Sequence, residues 1–177
     1  VLFRSNDSFR ISFLDVGEAD CCFLEFPGNR NLLVDAGFST ASFDCGENLI
    51  APFLWKKQIQ GIDMVLLTHP DNDHCGGAEF VLKNFAIGRL VLPDIAQTPP
   101  EFLSLIERAR HQRASVEFAG AGDTFSINSR AHLEILHPPK KISRDEYSDN
   151  ESSLVTKVTC GNISVLLTGD AERKALQ

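Results

Sequence analysis

Four side chains that can bind metal ions stand within six residues of one another in the segment THPDNDHCGG, which covers 68–77. They are His69, Asp71, Asp73 and His74. Imidazole and carboxylate are ligands that Zn²⁺ and harder divalent cations accept. In an extended segment alternate side chains point to the same side, so we expect His69, Asp71 and Asp73 to converge and His74 to turn away. Such a loop can divide its ligands between two adjacent cations.

A simpler interpretation of this segment is a helix N-terminus, at which Asp71 or Asp73 only caps backbone N–H groups. That interpretation needs one acid and neither histidine. A further carboxylate, Asp170, ends the apolar segment LLTGD (166–170). Alone, an Asp after a Gly often makes only a turn, but beside the first motif Asp170 is a candidate bridging ligand.

Short apolar segments predict the elements that must position these side chains. The predicted strands cover 10–16, 20–26, 32–37, 63–68, 89–92, 115–118, 124–127, 131–136, 152–160 and 162–170, and the predicted helices cover 47–58, 77–85 and 100–113. The first three strands read as an antiparallel meander, and the last two as a hairpin through Gly161-Asn162. This order predicts a layered α/β protein with mixed sheets. We expect a single domain over 1–177, with 1–9 as a leader or linker and the fold cut short at Gln177.

Composition narrows the classes of function. The 177 residues are 43% hydrophobic and 23% charged, which is typical of a globular domain. The formal charge of −7 argues against a large basic surface for nucleic acid, although bound cations could supply local positive charge. No apolar run approaches the roughly 20 residues that span a bilayer, so we expect no membrane segment in this chain.

The five cysteines are odd in number and lack paired CxxC spacing. That pattern argues against a disulfide framework and against a zinc knuckle. We therefore expect buried free thiols.

Several motifs in order resemble those of the metallo-β-lactamase fold hydrolases. The segments that carry this resemblance are THPDNDHCGG, LLVDAG (32–37) and LLTGD. More narrowly, the chain is similar to the metallo-β-lactamase-like domain of ComEC, the bacterial DNA-uptake channel protein, in FLDVGEAD (13–20), GIDMVLLTHPDNDHCGG (61–77) and NESSLVTKV (150–158). The similarity runs from about Arg10 to Asp170. It implies a four-layer αββα sandwich with a metal centre at one edge of the two sheets.

The resemblance also implies a division of ligands between two metals. His69 and Asp71 would serve the first metal, Asp73 and His74 the second, and Asp170 would bridge them. The superfamily motif is HxHxDH, and Asp71 stands where it has its second histidine, as in ComEC-type domains.

Further positions follow from the same resemblance. Asn150 falls near the superfamily's next histidine, where it would be an oxygen ligand or a hydrogen-bonding substitute. The final family histidine would lie beyond Gln177. Asp15, Asp20 and Asp35 would lie near the metals and support the ligands through hydrogen bonds, and the alternative for each is a turn or cap aspartate.

The expected chemistry is metal-dependent hydrolysis. Carboxylate and amide in place of imidazole shift the preference of the site from Zn²⁺ toward Mn²⁺ or Mg²⁺, although affinity alone favours Zn²⁺. We therefore expect two divalent ions, Mn²⁺ or Zn²⁺. Two cations about 4 Å apart can lower the pKa of a bridging water and clamp the oxygens of a phosphodiester. The hypothesis is metal-hydroxide attack on DNA phosphorus, with Asp73 as ligand and orienter of the water.

The resemblance implies the biological setting, in which one DNA strand is degraded while the other is imported. Single-stranded DNA would then be the substrate, and the chain would be a soluble bacterial domain that a membrane channel in the parent protein attaches to the inner membrane. Two other interpretations stay open. Another hydrolase of this fold would cleave a thioester, lactone or β-lactam, and a non-catalytic domain would serve binding or structure.

Overall fold

The computed structural model describes residues 8–176, which form two β-sheets with helices packed against the first. The first sheet has six strands in the order β1 to β6, and the second has four in the order β10-β9-β8-β7. The strands are β1 (Arg10–Phe13), β2 (Cys22–Phe26), β3 (Arg30–Val34), β4 (Gly61–Leu66), β5 (Ala86–Pro93), β6 (Ser115–Ala119), β7 (Thr124–Asn128), β8 (Ala131–His137), β9 (Val155–Cys160) and β10 (Ile163–Leu167). The helices are α1 (Ala51–Lys56), α2 (Asn72–Cys75), α3 (Ala78–Asn84) and α4 (Pro100–His111).

Neighbouring strands of the first sheet are antiparallel in one half and parallel in the other. β1, β2 and β3 pair in antiparallel fashion, as the meander prediction required, and β3 to β6 are parallel. Helical crossovers separate the parallel strands, which is how such strands must be joined. The carboxyl ends of β3, β4, β5 and β6 therefore meet at one edge of the sheet, where open α/β sheets bind ligands.

The helices cover one face of this sheet. A π-helical turn (Gly46–Ile50) leads into α1, so the helix predicted over 47–58 is present but begins irregularly. In α4 the buried side chains are Phe102, Leu105, Ile106 and Ala109, which repeat at helical spacing. These side chains and those of the sheet form one apolar core, and its burial supplies most of the driving force for this layer.

The second sheet packs against the other face of the first. Its four strands are antiparallel, and the β9–β10 hairpin turns at Gly161, whose φ of +59° suits glycine. A second apolar core lies between the sheets, with Leu24 and Val91 from the first sheet and Leu133 and Val158 from the second. The two sheets and the helical layer confirm the mixed α/β fold class.

Several strand boundaries differ from the predictions by a few residues, among them those of β1, β9 and β10. β1 ends at Phe13 rather than at 16, because 14–21 leave the ladder as a loop. β9 begins at Val155 rather than at 152, because a 3₁₀ turn (Asn150–Ser152) precedes it, and β10 ends at Leu167. A further 3₁₀ turn covers Arg173–Leu176. Of the predicted leader over 1–9, residues 1–7 lie outside the described part of the chain, whereas Phe9 stacks on Phe26 with ring centroids 5.1 Å apart.

The five cysteines are buried and unpaired, as predicted. Among residues 8–176, no helix is both long and apolar enough to cross a membrane.

Candidate metal centre

The THPDNDHCGG segment begins where β4 ends, at the carboxyl edge of the parallel strands. It is extended only as far as Asp71, which precedes the one-turn helix α2 with φ −65° and ψ 145°. No side chain caps this helix, because the N–H groups of His74 and Cys75 bond to the backbone carbonyl of Asp71. The capping interpretation therefore does not explain the two acids.

His74 does not turn away from the other ligands, and that prediction is wrong. The helical turn of α2 carries its ring back over His69, so that the two ring centroids are 4.1 Å apart. The alternation rule fails here because it holds only for extended backbone.

Three carboxylates surround the two histidine rings. His69 Nε2 lies 3.5 Å from Asp71 Oδ2. His74 Nε2 lies 3.8 Å from Asp73 Oδ2 and 3.3 Å from Asp170 Oδ1. The ligand atoms of His69, His74 and Asp170 all lie within 4.8 Å of one another, a spacing that can hold a metal ion.

The ring of His69 has an unsatisfied nitrogen. The residue is fully buried, and its Nε2 has no hydrogen-bond partner, although buried polar atoms rarely go without one. Leaving such an atom unpaired costs about 1–3 kcal/mol. A cation bound to Nε2 would remove this cost, so the donor set fits a divalent metal.

The buried carboxylate of Asp35 supports the site through hydrogen bonds to Thr68 and His74. It is 2% exposed and accepts hydrogen bonds from Thr68 N and Thr68 Oγ1, both at 2.8 Å, and from His74 Nδ1 at 2.9 Å. A carboxylate can only accept, so His74 Nδ1 carries a proton and Nε2 is left for a ligand. Asp35 has a φ of +58°, a conformation that Asp tolerates better than most residues.

Thr68 and Ser153 complete this support, and the sequence analysis missed both. Thr68 Oγ1 lies 3.0 Å and Ser153 Oγ 3.2 Å from His69 Nδ1. Because Thr68 Oγ1 donates its proton to Asp35, it can accept one from His69 Nδ1, which leaves the lone pair of His69 at Nε2. Motif spacing could not reveal Ser153, which is 84 residues from His69 along the chain.

The two histidines differ in charge. Burial lowers the pKa of His74, but its hydrogen bond to Asp35 and the charges of Asp35, Asp170 and Asp73 outweigh burial and raise the pKa to about 9. Burial lowers the pKa of His69, and the positive charge of His74 lowers it further. At neutral pH the metal-free site therefore has a charged His74 and a neutral His69.

The carboxylates repel one another. Burial raises the pKa of Asp20, as do the charges of Asp35, Asp170 and Asp73, against the attraction of His74. Burial raises the pKa of Asp71 as well. Bound cations would relieve this repulsion.

Asp20 lies at the site, whereas the hydrogen bond that Asp15 accepts is within its own turn. The backbone of Asp20 bonds to Asp73 O at 3.2 Å and to Gly37 N at 2.9 Å, and its carboxylate lies within 4.8 Å of ligand atoms of Asp35 and His74. Asp15 is exposed, and its Oδ1 accepts from Gly17 N at 3.4 Å, as a turn aspartate does. A supporting role for Asp15 stays a prediction.

Asn150 begins the 3₁₀ turn that leads to Ser153. Its Nδ2 donates to Glu172 Oε1 at 3.3 Å, and its place as an oxygen ligand likewise stays a prediction.

Close packing at two glycines fixes the segment that carries Asp170 and the segment that begins α3. Gly169 lies against Thr68, where an added Cβ would be 3.0 Å from Thr68 Cβ and Oγ1. At Gly77, an added Cβ would collide with the carbonyl oxygen of Ala36. These contacts hold Asp170 and the start of α3 against the loops that carry the other acids.

Comparison with known proteins agrees with this arrangement. A sequence profile described as the metallo-beta-lactamase superfamily matches residues 14–177. ComE operon protein 3 of Bacillus subtilis is 32% identical over 94% of this chain, and competence protein ComA of Neisseria gonorrhoeae is 32% identical over 82% of it. The aligned regions are 23% and 18% of those proteins, so the chain spans about a fifth of their length. The predicted resemblance to ComEC-type competence proteins is confirmed.

One solved structure shows the same fold. CmlA, a diiron beta-hydroxylase from Streptomyces venezuelae, superposes with a TM-score of 0.57 at 20% identity, covering 93% of this chain and 30% of its own. Identity at this level supports the architecture alone.

Proposed function

This chain belongs to the metallo-beta-lactamase superfamily, whose members are generally metal-dependent hydrolases, and we propose that it is a phosphodiesterase that cleaves DNA. Its similarity to competence proteins supports DNA as the substrate, and we propose single-stranded DNA as the form that is cleaved. The same relatives are several times longer, which supports a place for this domain within a longer bacterial protein. Attachment to an inner-membrane DNA-uptake channel is the part of this proposal that the family resemblance alone implies.

The proposed ligand set is the one that the family resemblance implies. His69 and Asp71 would hold one cation, Asp73 and His74 would hold a second, and Asp170 would serve both. Asn150 would be the remaining oxygen ligand. Divalent cations held there would lower the pKa of a bound water and neutralise charge on the phosphate oxygens.

The chain's own residues have distinct tasks in this proposal. Asp35 and Thr68 keep the lone pair of His69 at Nε2, and His74 must give up the proton on its Nε2 before it can bind a cation. Asp73 would accept a hydrogen bond from the attacking water and direct its oxygen toward phosphorus, while the P–O ester bond on the opposite side breaks and the leaving oxygen takes up a proton from solvent. Each step uses an atom that already faces the centre.

The observation that carries the proposal is the oxygen-rich surroundings of two imidazoles. The unpartnered Nε2 of His69 lies beside the Asp71 carboxylate, and His74 Nε2 lies between Asp73 and Asp170. Such a set suits harder cations, with Mn²⁺ as our first choice and Zn²⁺ as the second. Harder cations bind the non-bridging oxygens of a phosphodiester well, which favours this substrate over a thioester or a β-lactam.

Substrate profiling after metal loading tests the proposal. The protein is loaded with Mn²⁺ or Zn²⁺ and given labelled single-stranded DNA, a thioester and a chromogenic β-lactam. We expect cleavage of DNA that chelation abolishes and that Asp73→Ala loses, while Glu107→Ala, on the exposed face of α4, retains it.

Two outcomes would overturn the proposal. Turnover of the thioester or β-lactam without cleavage of DNA would identify another hydrolase of this fold. A folded, metal-loaded protein that turns over none of the three would point to a binding or structural domain.

A further inference from the structure

We propose that Lys140, Lys141 and Arg144, which we call the basic strip, bind the phosphates of a nucleic acid strand next to the metal centre. The inference rests on the proposed function, which it deepens by assigning a path for the strand. These three residues lie in the loop between β8 and the 3₁₀ turn at Asn150, and none belongs to the candidate metal centre.

The strip starts beside the carboxyl end of β6. Pro138 O accepts a hydrogen bond from Ala121 N at 2.7 Å, just beyond that strand. Lys140 packs against Gly120, where an added Cβ would lie 2.8 Å from Lys140 Cγ, and its Nζ bonds to Asp123. This end of the loop is therefore fixed at the edge of the sheet that carries the metal centre.

The loop then crosses the carboxyl end of β5. Ile142 pairs with Ile95 in a short parallel bridge, Ile142 N bonds to Asp94 O at 3.1 Å, and Ala96 N bonds to Ile142 O at 2.8 Å. Lys141 stands next to this bridge with its side chain exposed and with a φ of +58°. Backbone hydrogen bonds at Pro138 and at Ile142 therefore fix the backbone on both sides of Lys141.

The strip ends beside the metal centre. Arg144 Nη2 donates to Asp149 Oδ2 at 2.8 Å, and Asp149 directly precedes the 3₁₀ turn that leads to Ser153, whose Oγ lies 3.2 Å from His69 Nδ1. The ion pair therefore joins Arg144 to the turn whose end contacts a proposed metal ligand. From β6 to β4 is two strand spacings, about 10 Å, which gives room for a few phosphates of a single strand.

The three cations remain available to a polyanion. The side chains of Lys140 and Arg144 are 51% and 40% exposed. An arginine has five N–H donors, and the pair with Asp149 uses the Nη2 group, so the others can face a phosphate. In a chain of net charge −7 with a carboxylate-rich centre, basic side chains beside that centre would favour the approach of a polyanion.

Salt dependence of binding tests the strip. Anisotropy of a fluorescein-labelled oligothymidylate of about 20 nucleotides is measured with Ca²⁺-loaded protein, after a denaturing gel has verified that the oligonucleotide stays intact under these conditions. For a single strand, each lost phosphate contact should reduce the slope of log K against log salt by about 0.7, and therefore weaken binding about eightfold near 50 mM salt. We expect this reduction in slope and affinity for Lys141→Gln and for Arg144→Gln, and the sum of the two reductions in slope for the double variant.

Two controls separate electrostatics from folding. Arg130→Gln removes the same charge at the β7–β8 turn, at the opposite end of the second sheet, and should leave slope and affinity unchanged. Asp149→Asn breaks the same ion pair as Arg144→Gln but frees the guanidinium, so it should tighten binding. If the ion pair only shapes the loop, both variants at this pair would weaken binding.

The proposal for the basic strip is overturned if Arg144→Gln and Lys141→Gln show the same slope of log K against log salt as the wild-type protein. If the wild-type protein binds and cleaves the strand in that case, the proposed function stands and only the proposed path of the strand is wrong. If the wild-type protein neither binds nor cleaves it, both proposals fail.

Discussion

Thr68→Val is the most informative single change, because it removes one hydroxyl from the support of the centre and keeps the shape of the side chain. Thr68 is fully buried. Its Oγ1 donates to Asp35 Oδ2 at 2.8 Å and lies 3.0 Å from His69 Nδ1. The variant leaves Asp35 with Thr68 N and His74 Nδ1 as donors, and it leaves His69 Nδ1 with Ser153 Oγ alone.

The expected cost has two parts. Loss of a hydrogen-bond partner for buried groups should reduce the free energy of unfolding of the metal-free protein by about 1–3 kcal/mol. Removing a group that orients a ligating histidine typically weakens metal binding about 10–100-fold, and we expect a loss in this range for Mn²⁺. Urea unfolding measures the first quantity, and competition with a chromophoric chelator measures the second.

Thr156→Val is the matched control. Thr156 is also fully buried, but its Oγ1 has no hydrogen-bond partner, so the same substitution removes an unsatisfied hydroxyl. It should leave metal affinity unchanged and stability equal or higher. If Thr68→Val and Thr156→Val bind Mn²⁺ equally tightly, the hydroxyl of Thr68 does not orient His69, and the reasoning about the buried network is refuted.

Three other predictions concern pH, packing and metal. The pKa of His74 is raised from 6.5 to about 9, so its contribution to the stability of the metal-free protein is complete below pH 6.5 and is lost as the pH rises through about 9. Urea unfolding should therefore show that the free energy of unfolding falls by up to about 3 kcal/mol over this pH range. The fall should be absent in His74→Gln. Gly169→Ala and Gly161→Ala should each lower the free energy of unfolding by about 1–2 kcal/mol, because both positions have a positive φ. Only Gly169→Ala should also weaken metal binding, because its added Cβ meets Thr68, whereas no atom lies near the added Cβ at Gly161. Equal metal affinity in the two variants would contradict the packing argument. Mn²⁺ at 100 times its dissociation constant should raise the free energy of unfolding by about 2.7 kcal/mol, and no rise would mean that the folded state does not bind it.

The sequence predicted most of the elements and a candidate metal centre. Apolar runs ended by turn residues located the strands, and the spacing of His69, Asp71, Asp73 and His74 indicated a metal centre, because few structural demands require that set of side chains. It misjudged the direction of His74, because the change from extended chain to the helical turn of α2 occurs inside the motif.

Contacts between residues far apart in the sequence could not be predicted from the sequence pattern. Ser153 reaches His69 through the packing of the residues before β9 against the end of β4, where Leu154 N bonds to Thr68 O at 3.0 Å. Thr68 is the sequence neighbour of His69, but its hydrogen bond to Asp35, 33 residues away, depends on the packing of β3 beside β4. Serine and threonine are common, and no spacing distinguishes these two from others in the chain. The position of the basic strip likewise depends on the pairing of Ile142 with Ile95, which periodicity does not encode.

Metal content measured by mass spectrometry, after loading with Mn²⁺ and removal of excess ion, tests the central claim most directly. The account predicts about two equivalents per chain in the wild-type protein and about one in Asp73→Ala, because Asp73 belongs to only one of the proposed cation sites. Folded protein that holds no metal, or an Asp73→Ala variant that holds as much as the wild type, would contradict it.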